Sequence, residues 1–148
     1  MPQSLGKVLV HVVFSTKHRL PTVDDAVRGG MHAYLAGSVN GIACRAIRIG
    51  GTADHVHALV SLGRTVSVAE LVHVMKGSSS RWMSRGGHEG FAWQAGYAVF
   101  SIGQSQAGVV ARYVARQEEH HLRRTFQDEL RLLLNRYGVA YDERYIWD

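Results

Sequence analysis

The order in which strand-like and helix-like segments alternate is the feature that most constrains the fold of this chain. Six segments are predicted from their periodicity and flanking turns: strands at 8–14, 42–49, 55–62 and 93–102, and helices at 23–38 and 67–85. Ser67 is a plausible N-cap with Glu70 three residues later, the pattern of a capping box. The order β-α-β-β-α-β is typical of the ferredoxin-like, split βαβ arrangement. We therefore predict one α+β domain spanning residues 1–148, with an antiparallel sheet.

Two further helical segments follow the predicted sheet. They span residues 106–120 and 125–137, and Gly138 stands in the C-cap position of the second. A sheet with two helices on one face leaves its other face to be covered. We expect the helix at 106–120 to cover it.

Two histidines in the third predicted strand define a candidate site. His55 and His57 flank Val56, and alternate side chains of a strand project from the same face. Tyr113 and Gln117 stand one turn apart on the covering helix, also on one face. If that helix crosses the strand, the four side chains converge, and they could hold a metal ion beside a phosphate that a tyrosine attacks. Two histidines at this spacing are, however, more often a hydrogen-bonded or solvated pair.

The chain resembles a known family over nearly its whole length. The similar segments are residues 11–21, 54–57, 76–81, 113–121 and the tail at 141–148. They resemble the single-tyrosine HUH transposases, which are TnpA-like insertion-sequence enzymes that move as single-stranded DNA, and their REP-associated tyrosine transposase relatives. The tyrosine segment and the tail are the most specific parts.

The resemblance implies a chemistry. His55, His57 and Gln117 would hold Mg²⁺ or Mn²⁺, and Tyr113 would cleave single-stranded DNA beside hairpins at element ends through a 5′-phosphotyrosine intermediate. It also implies a homodimer in which each tyrosine helix serves the histidines of the partner. Asp54 could orient a ligand histidine, and His120, three residues after Gln117, could support or replace it as a ligand.

Composition favours a polyanionic partner. The net charge is +5 and the pI is about 9.7. The candidate DNA contacts are Lys17, His18, Arg19, Lys76, Ser78, Ser79, Arg81, Arg112 and Arg116. The single cysteine, Cys44, excludes an internal disulfide, and no apolar run approaches the length of a membrane span. We expect a cytoplasmic protein.

Two other functions fit the same residues. A metal-dependent nuclease would use the histidines and water, with Tyr113 as a bystander, and would release DNA without a covalent protein link. A non-catalytic, dimeric DNA-binding protein would bind hairpin DNA without metal. The general base, the target sequence and the activity of this copy are left open.

Overall fold

Four strands of the chain form one antiparallel sheet, with two helices on one face and three on the other. The computed structural model describes residues 2–148. Its elements are β1 (Leu9–Ser15), α1 (Asp25–Asn40), β2 (Arg45–Gly51), β3 (His55–Ser61), α2 (Val68–Arg85), β4 (Ala98–Ile102), α3 (Ala107–Ala115), α4 (Gln117–His121) and α5 (Phe126–Arg136). The strand order is β2-β3-β1-β4. This is the order of the split βαβ arrangement, so the predicted fold class is confirmed.

The face under α1 and α2 is an apolar core. Val12 and Phe14 of β1 alternate towards this face and pack with Val56 of β3, because alternate residues of a strand share a face. Leu35 of α1 and Met75 of α2 cover them and are fully buried. Each such side chain stabilises the fold by about 1.5–3 kcal/mol relative to an exposed one.

One N-cap fixes the start of α2, and one close contact allows α1 and α2 to pack together. The hydroxyl of Ser67 accepts a hydrogen bond from the amide of Glu70, as the predicted cap requires. Gly30 of α1 lies against the ring of Trp82 in α2. A Cβ at Gly30 would approach that ring to 3.0 Å, so this glycine allows α1 and α2 to pack closely.

The opposite face of the sheet is covered by α3, α4 and α5. Helix α3 lies directly on β2, since a Cβ at Gly50 would be only 1.9 Å from the carbonyl oxygen of Val114. Gly50 and Gly51 end β2, which extends two residues beyond the predicted bound at residue 49. The actual turn spans residues 52–54. The glycines are needed at the contact with α3 and the next strand, and not for a turn.

The predicted helix at 106–120 is wrong as one continuous element. It divides at Arg116, whose backbone (φ −107°, ψ 28°) leaves the helical region, so α3 ends at Ala115 and α4 begins at Gln117. Tyr113 and Gln117 therefore lie on different helices. The predicted fourth strand is also too long: pairing within the sheet begins at Ala98, and Trp93 forms only an isolated bridge with Thr16.

Helix α5 and the C-terminal residues close this second face. Leu130 and Leu133 of α5 pack with Val13 and Phe100 of the sheet, and Trp147 of the tail lies against the same cluster. Gly138, with φ of +66°, follows α5 and ends it as predicted. Among residues 2–148, no helix combines the length and apolar character that crossing a membrane requires.

Candidate active site

His55 and His57 project from β3 onto the face covered by α3–α5, and both are buried. Each ring is held through its Nδ1 atom. Nδ1 of His55 lies 2.7 Å from Oδ1 of Asp54, and Nδ1 of His57 lies 2.7 Å from Nε2 of His11. Because the outer nitrogen of each ring is engaged, Nε2 of each histidine points into the site. Metal-ligating histidines are usually oriented by such a second partner.

Glu129 of α5 is a buried carboxylate at the centre of the histidines. Its Oε1 lies 2.8 Å from Nε2 of His57, 3.3 Å from Nε2 of His121 and 3.8 Å from Nε2 of His55. Burial alone would raise the pKa of Glu129, but hydrogen bonds from His121 and His57 outweigh it and hold the pKa far below its usual range. The site therefore contains a fixed negative charge.

Gln117 contributes a second oxygen to the same cluster. Its Oε1 lies 3.2 Å from Nε2 of His55 and 3.1 Å from Nε2 of His121. With the Nδ1 proton of His55 directed to Asp54, Nε2 of His55 presents a lone pair to oxygens that are themselves acceptors. Acceptor atoms that face one another in this way repel, and the repulsion is removed by a second proton on the imidazole or by a cation between them.

The donor set fits a divalent ion. One ligand atom each from His55, His121 and Glu129 lie within 4.8 Å of one another. Imidazole nitrogens together with carboxylate and amide oxygens suit Mn²⁺ and related transition ions better than Mg²⁺, which prefers oxygen. The identity of the ion does not follow from this geometry.

Tyr113 of α3 reaches this cluster within the same chain. Its hydroxyl donates a hydrogen bond to Oε2 of Glu129, and its ring centroid lies 5.8 Å from that of His57. Burial, reinforced by the charge of Glu129, raises the pKa of the Tyr113 hydroxyl above its ordinary value. The phenol is therefore held protonated, with its oxygen beside the histidines.

His120 lies apart from the imidazole cluster. Its ring packs on Tyr113 at a centroid distance of 4.7 Å. Nε2 of His120 is covered and has no hydrogen-bond partner among residues 2–148. In this structure the neighbouring His121, and not His120, lies close to Gln117 and Glu129.

The predicted DNA contacts divide into two groups. Lys76 donates to the carbonyl oxygens of Gln94, Ala95 and Gly96 at 2.7–3.2 Å, and burial lowers its pKa to about 8. Ser78 and Ser79 are also buried and donate to backbone carbonyls of α2. These three side chains hold the fold together and are not presented to a ligand here. The exposed members are Lys17, His18, Arg19, Arg81, Arg112 and Arg116.

The basic turn after β1 has an unusual backbone. His18 and Arg19 both adopt positive φ, 58° and 54°, a region that non-glycine residues rarely occupy. Hydrogen bonds from the Thr16 hydroxyl to the carbonyls of Leu20 and Asp54 hold the turn. Strain maintained in this way is frequent at functional sites.

The sequence reasoning missed Glu129, and it assigned no ligand role to His121. Glu129 carried a detectable signal, since it lies on the apolar stripe of α5 together with Phe126, Leu130 and Leu133. An acidic residue in such a stripe must be paired when it is buried. The position of His121 had no such signal because it depends on the break at Arg116.

Comparison with known proteins places the chain in a family. Residues 4–117 match the model of the IS200-like transposases. A comparison with curated proteins found no match. A candidate transposase from Deinococcus radiodurans, solved by crystallography, superposes with a TM-score of 0.63 at 21% identity and covers 77% of this chain and 95% of its own. A REP-associated tyrosine transposase bound to a REP hairpin superposes with a TM-score of 0.57 at 9% identity, covering 77% of this chain and 68% of its own. The two structures share the fold, and the family match, which spans well over half of the sequence, shows that the chain belongs to the IS200-like transposases.

Proposed function

We propose that this transposase cleaves and rejoins single-stranded DNA at hairpin-flanked ends through a 5′-phosphotyrosine on Tyr113, with a divalent ion. One observation supports this most strongly. The carboxylate of Glu129 accepts hydrogen bonds from both the Tyr113 hydroxyl and Nε2 of His57, so that a nucleophile and a candidate metal site meet at one side chain.

The residues that would hold the ion are His55, His57 and Gln117, as the family resemblance implies, together with Glu129. His121 lies close enough to replace one of them. A bound divalent ion would polarise the phosphate and neutralise charge that develops on it. His11 and Asp54 would orient the two ligand histidines through Nδ1.

Glu129 would act on the nucleophile as well. A phenol is a weak nucleophile while it keeps its proton, and the pKa of Tyr113 is raised in this structure. Oε2 of Glu129 already accepts the hydrogen bond of that proton. We infer that Glu129 orients the Tyr113 oxygen through this hydrogen bond, a role that no sequence pattern had assigned.

The bond changes follow from a tyrosine nucleophile. Oη of Tyr113 forms a bond to phosphorus, and the bond from phosphorus to the 3′ oxygen breaks, which leaves a free 3′-OH and a 5′-phosphotyrosyl link. A 3′-OH can later attack that link and restore the phosphodiester, so rejoining requires no ATP. One nucleophilic tyrosine in each chain fits the transfer of one strand at a time.

A hairpin in the DNA partner is supported by fold similarity and by charge. The REP-associated neighbour is bound to a hairpin. The exposed basic residues lie on the loop after β1, on α2, on α3 and at the break between α3 and α4, where they could neutralise phosphates.

The site can assemble within one chain, because Tyr113 already contacts Glu129 and lies beside His57. A homodimer with tyrosines exchanged in trans is the arrangement that the family resemblance implies. Mixed dimers of Tyr113→Phe and His55→Ala chains separate these cases. Assembly in trans restores one complete site in each mixed dimer, whereas assembly in cis restores none.

The proposed function is tested by incubating labelled single-stranded hairpin DNA from the flanks of the gene with the protein and Mg²⁺ or Mn²⁺. A denaturing gel should show a protein–DNA adduct. The adduct should disappear in Tyr113→Phe and persist in Tyr34→Phe, a matched change on α1, on the opposite side of the sheet. Cleavage without an adduct would indicate a nuclease that uses water. Hairpin binding without cleavage in either metal would contradict the proposed catalysis.

A further inference from the structure

We propose that the cleft on the outer side of Tyr113 is a binding subsite for a DNA phosphate, formed by His120, Arg123 and Arg124. This inference rests on the proposed function, because it names the group that the nucleophile would meet. The cleft has a volume of about 530 Å³. It is lined by Tyr113, Glu119, His120, Leu122, Arg123, Arg124 and Glu129.

The two arginines supply positive charge that the protein does not itself use. Both are exposed and lie in the turn after α4, where their amides donate to the carbonyl of His120. Among residues 2–148, neither guanidinium takes part in an ion pair. Four other arginines, in contrast, bond to a side chain of the protein: Arg28, Arg85, Arg131 and Arg144. A guanidinium left free beside a cavity is suited to bind a phosphate in a bidentate manner.

Two carboxylates line the same cleft as the two arginines. Glu119 also lines the cleft and opposes one arginine. The carboxylate of Glu129 is already engaged by His57, His121 and Tyr113. Among residues 2–148, neither carboxylate forms an ion pair with Arg123 or Arg124, so both guanidinium groups keep their N–H donors available to a phosphate.

His120 supplies an independent observation. Its Nε2 is covered and has no partner among the described residues, although buried ring nitrogens are normally hydrogen-bonded. The same ring packs against Tyr113. A phosphate oxygen that reaches this nitrogen would provide the missing partner, which requires the atoms that cover it to move aside.

The subsite adjoins the nucleophile, because Tyr113 itself lines the cleft. Attack requires phosphorus within about 3–3.5 Å of the tyrosine oxygen. The Tyr113 hydroxyl contacts Glu129, which also contacts His57 of the imidazole cluster, and both Tyr113 and Glu129 line the cleft. A scissile phosphate placed there would have the histidine site at one oxygen and the arginines at another. The charge that develops on phosphoryl oxygens would then be neutralised from two directions.

The test measures phosphate binding in EDTA, where cleavage does not interfere. Side-chain NMR of ¹⁵N-labelled protein is recorded while inorganic phosphate, and then a single-stranded oligonucleotide, is added. We expect the ring nitrogen signals of His120 to move with both ligands. Arg123→Gln and Arg124→Gln should each weaken oligonucleotide binding by roughly 3- to 10-fold. Each should also lower the slope of log affinity against log salt by about 0.7.

Arg136→Gln is the matched control, because it removes an exposed arginine at the end of α5, away from the cleft. It should leave the affinity and the salt slope as in the parent chain. Arg124→Lys should keep the salt slope, because it keeps the charge. Thermal unfolding of each variant shows whether the fold is intact.

Two outcomes separate this proposal from the proposed function. If the parent chain forms the Tyr113 adduct but both arginine variants behave like Arg136→Gln and the His120 signals stay fixed, the phosphate subsite is wrong. If no adduct forms with either metal but His120 and both arginines respond to phosphate, the subsite stands as an anion site and the tyrosine mechanism fails.

Discussion

The two faces of the sheet are built from the same strands but differ in almost every physical respect. Under α1 and α2, Val12, Phe14 and Leu35 form a continuous apolar core. On the other face, His11 and His57 occupy the same kind of inward position and are equally buried. Alternation along β1 and β3 alone separates the two environments, since neighbouring residues point to opposite faces.

This difference shows where stability and chemistry are located. Burial of apolar side chains stabilises the fold without any exact partner. Buried imidazoles and a carboxylate lose their hydration and require precise hydrogen bonds in return. The second face therefore contributes less to stability for the same buried area, and it concentrates the groups whose protonation and ligands can change.

The largest expected effect is a loss of stability from the apolar face. Leu35→Ala should lower the free energy of unfolding by about 2–5 kcal/mol, because it leaves a cavity in a fully buried position. Urea denaturation measures this. Mn²⁺ affinity of the folded variant, measured by calorimetry, should stay unchanged. A fall in metal affinity as large as that of a histidine variant would show that the two faces are not independent.

The matching change on the polar face should act on metal binding. His57→Ala should weaken Mn²⁺ binding by about 100-fold, because the histidine is proposed as a direct ligand. Replacing a residue that only orients a ligand typically lowers metal affinity by roughly 10- to 100-fold. Isothermal titration calorimetry provides the affinity. His18→Ala, at an exposed histidine, is the control and should bind Mn²⁺ normally. If the His57 and His18 variants bind Mn²⁺ with equal affinity, His57 is not a metal ligand.

A third prediction concerns pH and also belongs to the polar face. Burial lowers the pKa of His57 to about 4, and burial together with His57 lowers the pKa of His11 to about 3, from an ordinary value of 6.5. Between pH 6.5 and 4, the unfolded chain binds protons that the folded chain does not. This part of the stability is therefore complete above pH 6.5 and is lost as the pH falls towards 4.

We expect the free energy of unfolding to be lower at pH 5.0 than at pH 7.5 by about 2–4 kcal/mol. Urea denaturation in EDTA measures it at both values. Burial also lowers the pKa of His32 to about 4, so this residue on α1 contributes in the same range and is replaced separately. His11→Gln should reduce the pH dependence, and His18→Gln should not. A pH dependence that His11→Gln leaves intact would contradict the assignment.

The smallest expected effects distinguish basic side chains that stabilise the fold from those that remain available to bind DNA. Lys76→Met should lower stability by about 1 kcal/mol, because it leaves three carbonyls without their donor, and should leave oligonucleotide affinity unchanged. Arg19→Gln, at an exposed position, should do the reverse and weaken binding severalfold. Thermal unfolding and fluorescence anisotropy provide the two readings. If Lys76→Met weakens oligonucleotide binding and leaves stability unchanged, Lys76 belongs to the DNA-binding surface.

Much of the fold followed from local patterns. The alternation along the strands placed His55 and His57 on the face opposite Val56, and the Ser67 cap marked the start of α2. The break at Arg116 was not predictable, because the sequence from 106 to 120 has no proline or turn signal at that position. The break results from tertiary packing of α3 on Gly50 and of α4 beside the histidines.

The sequence predicted most residues of the candidate site but not Glu129. His55, His57, Tyr113 and Gln117 come together within one chain, whereas the resemblance implied that the tyrosine helix serves the histidines of a partner. Asp54 contacts the ring that it was expected to orient. Glu129 was missed because two of its partners, Tyr113 and His57, lie 16 and 72 residues away in sequence, so that only the packing of α5 brings it to them.

The most direct test of the central claim is to identify the atom to which cleaved DNA becomes attached. The protein is incubated with Mn²⁺ and a single-stranded hairpin oligonucleotide, digested with protease and nuclease, and analysed by mass spectrometry. The account predicts a nucleotide joined through its 5′-phosphate to Tyr113. Cleaved DNA with a free 5′-phosphate and an unmodified Tyr113, or a nucleotide attached to any other residue, would contradict it.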